Sequence, residues 1–151
     1  MEERRLFNLI EDLITIASNF QEVLRCFEGE IEKLKRRFDT KRVLLFFSDS
    51  KNFRKTIDPE YKGKRTKRKP VGYKRLLEWC KHHYKTIRYE NVEADDALGL
   101  ECHLDPRDFI LVSPDKDMKQ ISCNLFNGDE LTYTTPEEAD YWFWRQCLTG
   151  D

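Results

Sequence analysis

Glu93, Asp95 and Asp96 put three carboxylates into four positions, and apolar residues follow at once in VEADDALGL. Carboxylates this close repel one another, so the cluster calls for a counter-charge. Acids recur in comparable places: Asp49 closes the apolar run RVLLFFSDS, and Asp115 and Asp117 follow directly in ILVSPDKD. Hard oxygen donors with few histidines and no paired thiolates suit magnesium or manganese, and several carboxylates together can hold two such ions about 3.5–4 Å apart. Acids in the first turn of a helix are also favoured by its dipole and by capping. Asp95 with Asp96, or Asp115 with Asp117, is therefore open to a purely structural reading, as is Asp49 in a turn. Three acids in four residues exceed what capping requires, and the recurrence at three strand ends favours metal.

A segment of opposite character lies between the first two acidic sites. From Lys51 to Arg75 there are eleven Lys and Arg against two acids, Asp58 and Glu60, although the whole chain carries a net charge of -1. Phe53, Tyr61 and Tyr73 are interleaved with the cations, a mixture suited to phosphates and exposed bases. A solvated basic loop is the alternative. Lys51, Arg54, Lys64, Lys67, Arg68 and Lys69 are the candidate backbone contacts. Lys62 and Arg65 are three apart, so a helix through YKGKR puts them on one face and within reach of one phosphate, although Gly63 weakens that helix. Such a segment fits one that orders when a polyanion arrives.

The elements that must position these groups read as follows. Residues 6–38 carry apolar side chains at helical spacing (Leu9, Leu13, Ile16, Phe20, Leu24, Phe27, Ile31, Leu34), with Gly29 as the expected break between two helices. RVLLFFSDS and DFILVS read as strands buried on both faces, and TIRYENV as another strand. VGYKRLLEWCKHHY is a helix with Leu76, Leu77, Cys80 and Tyr84 on one face. TPEEADYWFWRQCL opens with Thr135 as N-cap, Pro136 in the first turn and Glu138 completing a capping box. Strands alternating with helices predict an α/β fold with a mostly parallel central sheet, whose ligands bind in the crevice beyond the carboxyl ends of the strands.

At 151 residues the chain reads as one domain, with a helical region over 1–40, the basic segment over 51–70 and an acidic half over 90–151. No apolar run approaches the ~18 residues of a membrane span, and the charged start predicts no signal peptide, so a cytoplasmic protein is expected. Five scattered cysteines without a C-x-x-C pair read as reduced, structural thiols. His82, His83 and His103 lack ligand spacing to one another.

The succession FSDSKNFRK, EYKGKRTKRKPVGY, EADD, VSPDKDMKQI and EEADYWFWRQCLTGD resembles the metal-dependent 5'-to-3' exonuclease and flap endonuclease family, in particular the exonucleases of tailed bacteriophages. The resemblance runs from about Lys41 to the last residue. It implies a PIN-like three-layer α/β domain that cuts DNA phosphodiesters near free 5' ends or single-strand junctions by a two-metal mechanism with Mg2+ or Mn2+. By matching position it implies Glu93, Asp95, Asp96, Asp115, Asp117 and Asp151 as metal ligands, and Asp49 as a further acid near the first metal. It implies Lys62 and Arg65 as the basic pair at the scissile phosphate. The family's opening strand with its metal-binding Asp, the second acid of its G-D-x-x-D motif and its helix-hairpin-helix element have no counterpart in the sequence. An incomplete domain is expected, with host cytoplasm as its location if phage-encoded and a second chain as the source of the first strand. The rival expectations are a catalytically weak fragment needing that partner, a DNA-binding protein without chemistry, and a PIN-type ribonuclease.

Overall fold

In the computed structural model, residues 2–64, 69–105 and 108–150 are described, with side chains from residue 19 onward. Arg65, Lys67, Arg68 and Asp151 lie outside the described residues. The chain divides into two compact units, one of residues 1–45 and 66–86, the other of 46–65 and 87–151.

In the first unit, Phe20, Leu24, Phe27 and Ile31 recur every three or four residues, so one stripe of helix α1 (Glu2–Arg37) is apolar. Phe20, Leu24 and Ile31 are buried, and Phe27 meets the rings of Trp79 and Tyr84 edge-on at 6.4 and 6.0 Å. Gly29 does not break this helix, contrary to expectation. A Cβ there would meet nothing within 4 Å, so the residue faces open space. The cost of glycine, about 1 kcal/mol relative to alanine, is small against a helix already fixed by its apolar stripe. Helix α3 (Tyr73–His83) starts after Gly72, whose φ of 85° is left-handed, and it buries Cys80. His83 stacks on Trp79 and bonds its carbonyl at 2.8 Å, which accounts for it without a metal.

Strands β1 (Leu44–Phe46) and β2 (Lys85–Ile87) pair with each other, and the boundary between the units passes through both. Neither is buried on both faces; β1 is half-buried along its length.

The second unit holds the short helix α2 (Arg54–Ile57), helix α4 (Ala94–Leu104), strands β3 (Ile110–Val112), β4 (Asn124–Phe126) and β5 (Leu131–Tyr133), and helix α5 (Pro136–Thr149). β4 lies between a parallel neighbour, β3, with Leu111 opposite Leu125, and an antiparallel one, β5, with Leu125 opposite Thr132. The core gathers Leu111, Leu125, Cys102, Met118 and Cys123. β3 was expected to be buried on both faces, but its two sides differ. Leu111 is 2% exposed while Ile110 and Val112 are 37% and 45% exposed, so only one face is covered. The β4–β5 hairpin turns on Asn127-Gly128, where Gly128 takes φ 111° and the Asn127 side chain accepts from the amides of Asp129 and Glu130, both at 2.9 Å. α5 carries the capping box that its sequence predicts: Thr135 accepts from the Glu138 amide at 3.2 Å and Glu138 from the Thr135 amide at 3.0 Å. All five cysteines are free thiols; Cys80, Cys102 and Cys123 are buried, whereas Cys26 and Cys147 are exposed.

Candidate metal and nucleic-acid site

Backbone hydrogen bonds beyond the ends of β1 and β2 set the first side of the site. The amide of Phe47 donates to the Ile87 carbonyl and that of Asp49 to the Val92 carbonyl, both at 3.0 Å, which brings Ser48 beside the start of α4. The Ser48 hydroxyl accepts from the Ala94 amide at 3.0 Å and so satisfies a donor of the helix N-terminus. Glu93 is the N-cap residue of α4, yet its side chain makes no capping bond. Its carboxylate is used elsewhere.

Glu93 accepts from Lys62 at 2.5 Å, from Arg54 at 3.3 Å and from the Tyr61 hydroxyl at 3.4 Å. Arg54 also grips Asp96 with both terminal nitrogens at 2.7 Å, a bidentate pair. The same guanidinium lies 4.7 Å from the Phe53 ring centre and 5.9 Å from that of Tyr61, so aromatic faces hold it over the acids. These are the counter-charges that the acidic cluster called for. Hydrogen bonding to Arg54 draws the Asp96 carboxyl below its ordinary range. Lys62 loses some hydration, which pulls it down, but its bonds to Glu93 and Tyr61 outweigh this and hold it more firmly protonated than usual.

Asp95 and Asp115 are left on the other side of this balance. Asp95 is exposed at the rim, yet partial loss of hydration, followed by the charges of Asp115 and Glu93, pushes its carboxyl above the ordinary value. Asp115 caps the 3₁₀ turn Lys116–Gln120, accepting from the Asp117 amide at 2.9 Å, so the capping alternative is realised there with one oxygen. Asp117 accepts from the Gln146 side-chain amide at 2.5 Å, and Gln146 in turn accepts from the Gln120 side chain. Glu93, Asp95, Asp96, Asp115 and Asp117 thus line one cleft of about 980 Å3 together with Arg54, Lys62 and His103.

Lys62 differs from its expected setting. Its φ of 55° is left-handed and belongs to a turn, so YKGKR is not a continuous right-handed helix through this residue. Asp49 does not line the cleft. Its carboxylate accepts from the side chain of Arg88 and from the amides of Asn91 and Ser50, the latter two at 2.8 Å. The Asn91 amide, with Arg88, pulls its pKa from 3.8 to about 2. A folded-state pKa below the unfolded one means that Asp49 stabilises fully above about pH 4 and loses this as pH falls toward 2. Urea unfolding should therefore show Asp49→Asn less stable than wild type at pH 6, with the gap closing in acid.

Lys51 and Lys64 are exposed in the second unit, and Lys69, exposed in the first, lies 4.7 Å from the Tyr73 ring centre. His103, Gln120 and Gln146 were not singled out by sequence. His103 follows Asp96 by seven residues, two helical turns, and that spacing was the available signal.

The site's donor chemistry fits a hard divalent cation, since five carboxylates surround one cleft. Among the described residues, no three His, Cys, Asp or Glu stand close enough to hold an ion as they are, and Glu93 and Asp96 are taken up by cations. A metal would have to displace Arg54 and Lys62 from these two acids.

The chain thus joins an α/β fold, with β3 and β4 parallel, to a cleft lined by five carboxylates. The chain matches the family described as 5'-3' exonuclease, N-terminal resolvase-like domain, over residues 4–140, and it belongs to that family. A curated 5'-3' exonuclease from Buchnera aphidicola subsp. Schizaphis graminum is 32% identical over 116 residues, 70% of this chain and 40% of that protein. The fold is similar to that of the bacteriophage T5 protein crystallised with metal ions, with a TM-score of 0.58, 19% identity, and coverage of 84% of this chain and 58% of that one. It is also similar to the bacteriophage T5 flap endonuclease in a pseudo-enzyme-product complex with DNA and metal ions, with a TM-score of 0.57, 21% identity, and coverage of 82% and 56%. These likenesses give the PIN-like fold. The chain spans less than two thirds of the length of each of these relatives. No helix among the described residues is long and apolar enough to cross a membrane.

Proposed function

We propose that the acidic cleft hydrolyses phosphodiesters of DNA at free 5' ends or single-strand junctions, with Mg2+ or Mn2+, two ions in all, as cofactor. The observation that carries this is the meeting of five carboxylates from two separate chain segments with Lys62 and Arg54 in one cleft, in a member of the 5'-3' exonuclease family. Among the described residues, Asp95, Asp115 and Asp117 are the cleft carboxylates without a paired cation; Asp117 is bonded to Gln146, so Asp95 and Asp115 would hold the metal first, with Glu93, Asp96 and Asp117 completing the set. When bound, the metal supplies Lewis-acid charge at the phosphate and makes water more acidic.

The protein's own cations have a second use in this reading. Lys62 and Arg54, displaced from Glu93 and Asp96, stand at the mouth of the same cleft with their charges free for the phosphate oxygens. Arg65, the other member of the expected pair, and Asp151, the last expected ligand, complete the proposal from sequence. Asp49 serves in it as a support, fixing the Asn91–Glu93 segment through Arg88 and the Asn91 amide.

One observation favours a second reading, a catalytically weak fragment needing a partner chain or a DNA-binding protein without chemistry: Glu93 and Asp96 are already paired with Arg54 and Lys62. Cleavage by wild type at saturating metal separates the two, and Lys62→Ala then tests the cation's part. In the nuclease reading that substitution lowers kcat on a 5'-labelled flap by about 100–1,000-fold, as loss of one charge-stabilising donor does, while Mn2+ still binds. An unchanged rate would remove Lys62 from the chemistry, whereas no cleavage by wild type at saturating metal contradicts the nuclease reading.

A further inference from the structure

Residues 90–151 are strongly acidic and contain four basic residues, Arg107, Lys116, Lys119 and Arg145. Three of the four converge. Lys116 and Lys119 of the 3₁₀ turn and Arg145 of α5 line a small cleft of about 190 Å3 with Trp142 and Gln146. Lys119 Nζ lies 4.7 Å from the Trp142 ring centre and the Arg145 guanidinium carbon 5.0 Å from it, so two cations share one ring. Among the described residues, neither Lys119 nor Arg145 pairs with a carboxylate. In a segment so rich in acids, two like charges gathered on one aromatic ring without a carboxylate partner leave a site that an anion would relieve.

The position of this cleft matters as much as its charge. Gln120 lines both it and the acidic cleft, and Gln146 lines the basic cleft while donating to Asp117 of the acidic one at 2.5 Å. Two hydrogen-bonded glutamine side chains thus connect the basic cleft to the acidic one. A strand whose scissile phosphate enters the acidic cleft must carry its neighbouring phosphates past acids that repel them, and this basic cleft adjoins the acidic one through Gln120.

We propose that Lys119 and Arg145, held on Trp142, form a subsite for a phosphate of the nucleic-acid strand next to the one being cut. The inference rests on the reading of the acidic cleft as a phosphodiester site. Exposed arginine and lysine on one aromatic ring and lining one cleft suit a backbone phosphate, and the small volume admits one such group at a time. The contact is sequence-independent and electrostatic, so it should be visible in the salt dependence of binding.

The test is fluorescence anisotropy of a labelled flap oligonucleotide with the whole chain in EDTA, across a range of salt, for wild type, Lys119→Gln/Arg145→Gln and the charge-keeping Lys119→Arg/Arg145→Lys. Both positions are exposed, and urea unfolding of each variant checks that the fold is kept. The expected result is weaker binding by the glutamine pair, with a salt slope shallower by about 1.4 for single-stranded contacts or about 1.8 for duplex contacts, as loss of two phosphate contacts requires. The charge-keeping pair should bind as wild type does. Equal affinity and slope in the glutamine pair, with wild type still binding and cutting, overturns the subsite and leaves the catalytic reading standing. Wild type that binds but does not cut with metal overturns the catalytic reading and the subsite's assignment beside a scissile phosphate. An added arm titrates inorganic phosphate by calorimetry; phosphate that binds wild type but neither competes with the oligonucleotide nor depends on salt in parallel with it would assign the cleft to a small anion and overturn the strand assignment.

Discussion

Asp115→Asn is expected to lower metal-dependent cleavage of a 5'-flap by more than about 100-fold while leaving the fold and DNA binding in place. Outer groups that merely orient metal ligands are worth about 10–100-fold in affinity or activity, so loss of a direct ligand should exceed that range. Asparagine is the informative substitution. Its side-chain oxygen still accepts from the Asp117 amide, so the cap of the 3₁₀ turn survives, whereas alanine would remove a cap worth about 0.5–2 kcal/mol and confuse stability with chemistry. Removing the negative charge also eases the repulsion that raises Asp95, so the variant should be no less stable than wild type without metal. Urea unfolding in EDTA checks the second point. A variant that cuts normally would remove Asp115 from the metal site.

Arg54→Ala should act in the opposite sense on folding and on metal. Arg54 holds Asp96 through two bonds of 2.7 Å and reaches Glu93 at 3.3 Å, and its loss leaves two partly buried carboxylates facing Asp95 without that guanidinium. Removing one partner of a fully buried pair costs about 3–5 kcal/mol; with each side chain of the Arg54–Asp96 pair 32% exposed, solvent screening reduces the expected loss to about 1–2 kcal/mol. Divalent metal should restore more stability to this variant than to wild type, because the ion then replaces a missing counter-charge instead of displacing one already present. Unfolding midpoints with EDTA and with saturating Mg2+ measure both effects. An equal response to Mg2+ in the two proteins would show that Arg54 does not compete with metal.

Local features are legible in the sequence. The Thr135, Pro136 and Glu138 signature defines the start of α5 because every partner lies within four residues. The apolar runs around Leu44 and Leu111 marked strands, but burial on both faces needs layers that the run itself does not specify, and β3 has only one face covered. Asn127-Gly128 is a strong turn signal for the β4–β5 hairpin, but its flanking strands are three residues each, too short for an alternation to mark them as strands. At the site, the acids were conspicuous in composition, whereas their neutralisation was not. Arg54 reads as one cation of a basic segment, and nothing local ties it to Asp96, 42 positions on. The Asp117–Gln146 bond likewise spans 29 positions and joins two ordinary polar residues. Charge type was legible, but pairing was not, since it depends on which chain segments the fold brings together.

The measurement that bears most directly on the central claim is cleavage of a 5'-labelled flap duplex by the purified whole chain with Mg2+, with Mn2+ and with EDTA, beside Asp115→Asn. Cleavage in both metals that stops in EDTA and falls by more than about 100-fold in the variant is the predicted result. Salt-sensitive binding without cleavage in either metal, unaltered by Asp115→Asn, would contradict it and leave the acidic cleft as a binding surface without chemistry.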